Sequence, residues 1–156
     1  MKEIVEYLIN KKETISTMES CTGGALANAI TNIEGASEII KFSAVTYSNE
    51  YKIKMGVSAN TIEKYTVYSQ EVAREMSKVI STYTNSDYGV GITGKLNSID
   101  PANPFGDNSM VYLSIYSKKE NKYYEATTSC QKRIREDNKE TVINTFIILF
   151  NTIISK

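Results

Sequence analysis

The sequence predicts an α/β fold, a three-layer α/β/α sandwich around a mixed sheet. Helix-spaced and strand-like apolar patterns alternate through the first half of the chain. Two strand-like runs near the end, Ser109 to Tyr116 and Lys122 to Thr128, join at K-K-E-N as an antiparallel hairpin, which excludes a purely parallel sheet. A helix-spaced stripe then closes the chain. No repeat, linker or low-complexity segment interrupts residues 1–156, so they read as one domain, long enough for a real core.

Taken in order, Ile4, Val5, Leu8 and Ile9 place an amphipathic helix over Lys2 to Lys11. Thr14 to Met18 is the first strand. A helix follows from about Cys21 to Ile33, and Gly35 ends it. Glu38 to Tyr47, rich in β-branched and apolar residues, is the second strand. Ser48-Asn49 starts a short helical turn carrying Tyr51, Lys52 and Met55, which Gly56 stops. Ser58 caps a short helix to Tyr65. Ser69 opens a longer one, with Val72, Ala73, Met76, Val79 and Ile80 on one face. Asp87 to Thr93 is a glycine-rich strand. Gly94 to Asn108 holds both prolines and reads as a loop of a length that is often functional. The hairpin comes next. A final helix from about Arg135 to Ile154 buries Val142, Phe146, Leu149, Phe150 and Ile153.

Composition narrows the chemistry. Lys plus Arg and Asp plus Glu balance at 18 each, so no strong field points to nucleic acid or an anionic membrane. The start of the chain has no signal pattern, and the longest apolar run, Phe146 to Ile154, is too short to span a bilayer. Cys21 and Cys130 lie far apart, which gives neither a disulfide framework nor a zinc spacing and fits a reducing cytoplasm. There are no histidines. That removes the Ser-His-Asp triad, the Cys-His pair and His-containing metal sites. A nucleophilic serine here needs another activator, and Lys and Tyr are the candidates.

The candidate site is built on Glu19-Ser20-Cys21-Thr22-Gly23-Gly24, where a strand turns sharply into a helix. A serine at such a turn is exposed beside the free N–H groups of the first helical turn, which suits a nucleophile with an oxyanion site. The plainer alternative is that Ser20 caps the helix and the glycines permit a tight turn. Cys21 is a second candidate nucleophile, activated by the helix dipole, or else a small packing residue. If the first three strands are parallel neighbours, Ser20, Tyr47, Lys52 and Thr93 converge beyond their carboxyl ends. A partly desolvated Lys52 is then a general base, and Tyr47 relays the proton or positions Ser20. The alternatives are an exposed helix cation for Lys52 and a strand-end aromatic for Tyr47. The basic segment K-R-I-R-E-D-N-K, Lys132 to Lys139, is either a solvated helix start or a guanidinium site for phosphate or carboxylate.

E-S-C-T-G-G at 19–24, V-T-Y-S-N-E-Y-K at 45–52, V-Y-S-Q-E-V-A-R-E-M at 67–76 and G-V-G-I-T-G at 89–94 resemble the CinA C-terminal domain family, which includes the nicotinamide-nucleotide amidases. The likeness runs from Thr14 to Val142. It implies an α/β/α sandwich, usually a cytoplasmic homodimer, that hydrolyses nicotinamide mononucleotide to nicotinic acid mononucleotide and ammonia, with no metal or other cofactor. It implies Ser20 as nucleophile with Tyr47 and Lys52 as its catalytic partners, either of them the base. Amides at the start of the helix after Ser20 would hold the oxyanion. Glu19, Cys21, Thr22, Gly23, Thr93 and Gly94 would border the pyridine nucleotide, and Arg135 or Arg133 would bind its phosphate.

Two departures from the family pattern bear on the substrate. Many members follow I-T-G with A-G-P-x-G-G, whereas this chain reads K-L-N-S-I-D-P-A-N-P-F-G-D-N over 95–108. The G-D-R that precedes the family's last helix is absent, and Arg135 with Lys139 reproduces its R-x-x-x-[RK] spacing best. Full-length CinA proteins carry another domain ahead of this one, so a stand-alone form is expected. Two other functions stay open: an amidase acting on another small carboxamide, and a non-catalytic nucleotide- or protein-binding module, in line with the family's association with competence and DNA damage.

Overall fold

The computed structural model describes residues 1–155. In chain order the elements are α1 (Lys2–Lys11), β1 (Ile15–Glu19), α2 (Ala25–Thr31), a 3-10 turn (Ala36–Glu38), β2 (Ile40–Val45), α3 (Asn49–Lys54), α4 (Ala59–Tyr65), α5 (Gln70–Thr84), β3 (Tyr88–Gly94), β4 (Met110–Ser117), β5 (Lys122–Ser129) and α6 (Arg135–Ile154). The sheet order is β2-β1-β3-β4-β5. β1 runs parallel to both β2 and β3, and β3, β4 and β5 are successively antiparallel. The mixed sheet expected from the sequence is therefore present, with its parallel half in the first part of the chain.

Each face of the sheet carries its own apolar cluster. On one side, Ile4 and Leu8 of α1, Leu26 and Ile30 of α2, and Val142, Phe146 and Phe150 of α6 pack on Val90, Ile92, Leu113 and Ile115. On the other, Val72, Met76 and Ile80 of α5 pack with Met18 and Val57. The helical spacing read from the sequence is what sets these faces. Among the described residues, no helix is long and apolar enough to cross a membrane.

The α5 face is unusually close to the sheet. A Cβ on Gly89 would lie 2.0 Å from the Ser77 carbonyl oxygen, and one on Gly91 would lie 2.2 Å from that of Ala73. The helix backbone thus rests directly on β3, and only glycine admits that approach. Small hydroxyls fill the remaining space: Ser77 Oγ is 3.0 Å from Ser114 Oγ, and Ser81 Oγ donates to the Ser86 carbonyl at 2.8 Å.

Two boundaries differ from expectation. The helix after Ser20 begins at Ala25 rather than near Cys21. Gly23 (φ +60°) and Gly24 (φ +93°) are left-handed, and Gly23 N–H donates to Ser20 O at 3.0 Å, so Cys21 to Gly24 forms a tight turn instead. The second strand is shorter than Glu38 to Tyr47, because Ala36–Glu38 closes as a 3-10 turn and the strand itself ends at Val45.

The glycine seat gives a direct test. Gly91→Ala forces a methyl group into the α5 backbone and is expected to cost about 3 kcal/mol or more in urea unfolding. An exposed Gly106→Ala control, where a Cβ meets nothing within 4 Å, is expected to cost less, although its φ of +86° disfavours alanine.

Candidate active site

β2, β1 and β3 are neighbours, so their carboxyl ends open onto one crevice. The strand ladder continues one residue past β1: Ser20 N–H donates to Ile92 O at 3.0 Å, and Thr46 N–H donates to Glu19 O at 2.8 Å. Ser20 is thereby fixed one residue past the end of β1, 5 % exposed. After β2, Ser48 caps α3 by accepting from the Tyr51 N–H. This start directs Lys52 inward, to 1 % exposure.

Lys52 and Ser20 meet. Lys52 Nζ donates to Ser20 Oγ at 3.1 Å and to the Thr46 carbonyl at 2.8 Å. No carboxylate forms an ion pair with Lys52 among the described residues. Burial disfavours the ammonium form and pulls the Lys52 pKa down to about 8, with Cys21 and Asp100 opposing weakly. Lys52 and Cys21 line an open cavity of about 520 Å³, together with Tyr47, Tyr68, Lys95 and Arg135.

The other expected site residues separate into distinct roles. Tyr47 is 64 % exposed, and its hydroxyl accepts from Arg135 Nη2 at 3.3 Å rather than meeting Ser20. Arg135 Nη1 donates to Lys95 O, Leu96 O and Ser98 Oγ, the last at 2.7 Å, so it ties the loop after β3 to the start of α6. Arg133 is exposed and lines neither this cavity nor the neighbouring groove. Gly94 lines the cavity, but Thr93 is fully buried and its hydroxyl donates to Val67 O at 2.9 Å. Thr22 and Gly23 line the groove between α2 and α6, beside Lys139.

Glu19 does not face the cavity. Its buried carboxylate accepts from Leu26 N–H at 3.0 Å and Ala27 N–H at 2.9 Å, and so caps α2 from the preceding strand. Those helical amides are the ones expected to hold an oxyanion, and they are occupied. The N–H groups nearest Ser20, those of Cys21 and Thr22, donate to no main-chain carbonyl among the described residues.

Sequence reasoning missed Lys95, Tyr68, Asp100 and Asn103. Tyr68 donates to Asp100 Oδ2, and Asn103 Nδ2 donates to the same oxygen at 2.8 Å. These bonds hold the Asp100 carboxyl below the usual carboxylate range, while burial and the Asp100 contact push the Tyr68 phenol up. The prolines and asparagines of the loop signalled a turn-rich segment, but nothing local marked its polar side chains as wall residues. No group of three or more His, Cys, Asp or Glu side chains among the described residues could hold a metal ion.

A family model described as the CinA C-terminal domain matches residues 1–151. A putative competence-damage inducible protein of Clostridium kluyveri is 41% identical over 127 residues, covering 80% of this chain and 31% of that protein. One from Alkaliphilus oremlandii is 48% identical over 96 residues, 60% of this chain and 23% of that protein. The chain thus spans a third or less of these curated relatives. Among solved structures, a competence/damage inducible protein of Agrobacterium tumefaciens superposes with a TM-score of 0.81 at 23% identity, covering 99% of this chain and 93% of that one. A CinA superfamily protein of Escherichia coli gives 0.79 at 25% identity, covering 91% and 81%. These likenesses show the fold.

The Cys21 thiol is buried and pushed up to about 12 by desolvation. Its rivalry with Ser20 is therefore testable by reactivity. Native protein at pH 8 is expected to leave Cys21 unmodified by iodoacetamide, with labelling only after unfolding in urea, as read by peptide mass. Rapid native labelling at Cys21 would restore it as a nucleophile.

Proposed function

The chain belongs to the CinA C-terminal domain family, and on that premise we propose that it is a serine-dependent amidase. Its substrate on this reading is nicotinamide mononucleotide, converted to nicotinic acid mononucleotide and ammonia. The observation that carries the reading is the buried Lys52 amine, which lines an open cavity and lies 3.1 Å from the hydroxyl of Ser20, a residue next to the lining residue Cys21 but not itself on the lining. A lysine desolvated to a pKa of about 8 has a substantial neutral fraction near physiological pH and can accept a proton.

In the proposed cycle, Ser20 Oγ attacks the carboxamide carbon as its proton passes to Lys52. On this reading the oxyanion is held by main-chain amides just after Ser20, of which those of Cys21 and Thr22 donate to no main-chain carbonyl among the described residues. The tetrahedral intermediate collapses, the C–N bond breaks, and Lys52 returns the proton to the leaving ammonia. Water then attacks the acyl ester with Lys52 again as base, releasing the carboxylic acid and restoring Ser20. Tyr47 acts at the mouth through Arg135 rather than at the nucleophile, so the role of base falls to Lys52. A purely binding module has no use for an amine held out of water against a hydroxyl.

One observation favours a second substrate, another small carboxamide. Residues 95–103, inside the segment that departs from the family pattern, form a wall of the cavity through Lys95, Ser98, Asp100 and Asn103. Ammonia release from a panel of amides separates the two.

Purified protein is expected to release ammonia from nicotinamide mononucleotide, and Ser20→Ala to lower kcat by at least about a thousandfold without loss of fold. Full activity in Ser20→Ala would sink the mechanism. The base has to be neutral, so kcat/KM is expected to rise with pH and level off above an apparent pKa near 8. Lys52→Met is expected to abolish that limb together with the activity. A flat profile between pH 6 and 9 would remove Lys52 as base.

A further inference from the structure

We infer that residues 98–105 form a lid on the cavity, a stiff tip that swings on its two roots and is latched shut by Tyr68, Arg135 and Asn49. The inference goes beyond the amidase reading and rests on it only for the kind of molecule the lid admits.

The segment after β3 is pinched at its base. Leu96 is buried in the core, and Asn97 N–H donates to Asn108 O at 2.7 Å, so the outgoing and returning chains meet at a neck. Residues 98–107 form a compact Ω-shaped loop beyond that neck. Left-handed residues stand at both roots, Leu96 (φ +51°) and Asn97 (φ +59°) on one side and Gly106 (φ +86°) on the other. A Cβ on Gly106 would meet nothing within 4 Å, so that root has room to turn. The tip between the roots is tied to itself. Ala102 N–H donates to Asp100 Oδ1 at 3.0 Å, Asn103 N–H to Asp100 O at 3.1 Å, and Asn103 Nδ2 to Asp100 Oδ2 at 2.8 Å. A tip closed by its own Asx turn moves as one piece.

The tip is held to the body by side chains alone. Among the described residues, no main-chain bond joins 98–105 to the rest of the protein, and none of these residues belongs to either apolar cluster. Ile99 and Phe105 are exposed. Three bonds to three separate parts of the fold fasten it. Arg135 Nη1 of α6 donates to Ser98 Oγ at 2.7 Å, the Tyr68 hydroxyl ahead of α5 donates to Asp100 Oδ2, and Asn49 Nδ2 of α3 donates to Asn103 Oδ1 at 3.3 Å. Ser98, Asp100 and Asn103 are half-buried and line the cavity, so the latched tip is one of its walls. A net side-chain hydrogen bond is worth a factor of about two to ten in such an equilibrium. Three of them make the open form a minor one that is still within thermal reach. Opening carries that wall away, while Ser20 and Lys52 stay in place on the end of β1 and on α3.

The test reads the lid by distance and its effect by turnover. Nitroxide labels are placed through Pro101→Cys, exposed on the tip and off the cavity lining, and Thr82→Cys, exposed on α5. Both native cysteines are buried, so the introduced thiols take the label. Pulsed electron resonance then compares this protein with the same protein carrying the latch changes Tyr68→Phe, Asn49→Ala and Ser98→Ala, once circular dichroism shows that each folds. The latched protein is expected to give one dominant distance. The triple latch variant is expected to add a second, longer distance, with the closed-to-open ratio lowered about tenfold or more. Tyr68→Phe alone, expected to lower it about two- to tenfold, decides the matter if the triple variant does not fold. An unchanged single distance would overturn the proposal, and so would a featureless spread, which means that the tip melts instead of swinging. In unlabelled protein the triple variant is expected to raise KM for nicotinamide mononucleotide about tenfold, with kcat within about threefold, because the closed form is what completes the pocket. A fall in kcat at unchanged KM would place the latch residues in the chemistry and overturn it. A latch-dependent second distance in a protein that releases no ammonia would remove the amidase reading while the lid stands.

Discussion

The Lys52 amine is almost wholly buried at the edge of the cavity, and its hydrogen-bond partners are a hydroxyl and a carbonyl rather than a carboxylate. Had an Asp or Glu stood there, the pair would have kept Lys52 charged and of no use as a base. Three features of the fold create that environment. The β2-β1-β3 order brings the end of β2 beside the end of β1. Ser48 starts α3 where Lys52 points back toward the sheet. The Glu19 carboxylate, the nearest acid in sequence to Ser20, is drawn away to cap α2.

Much of this was legible in advance because it is written in local pattern. The limits of α1 and α6, the serine caps of α3, α4 and α5, and the terminal hairpin all follow from spacing and capping chemistry. The convergence of Ser20 and Lys52 followed from a single topological assumption, that three strands lie parallel and adjacent. What was not legible depended on contacts between distant segments. Glu19 serves as a helix cap from inside a strand, which no local capping motif describes. The Tyr47–Arg135 contact joins residues 88 positions apart, so Tyr47 looked like a partner of Ser20 when its hydroxyl faces elsewhere. Lys95 read as one more polar loop residue, since only the packing of the loop against Tyr68 and Arg135 buries it.

The placing of α5 on Gly89 and Gly91 has a consequence for how this pocket can vary. No layer of side chains cushions that helix from β3, so helix and strand shift only as one body. The segment just before α5 belongs to the same block, because Thr93 Oγ1 holds Val67 O and Val67 and Tyr68 both line the cavity. One wall is therefore rigid scaffold, continuous with the strands that position Ser20 and Lys52. The facing wall is the loop from Lys95 onward, anchored in the core by Leu96 and fastened beyond it by side-chain bonds from Arg135 and to Asn108. Substitutions there can redraw the shape and charge of the pocket without disturbing the sheet. On the proposed reading, the exposed part of the loop can change by exchange of residues while the Ser20–Lys52 pair stays fixed by a strand that two glycines seat against α5.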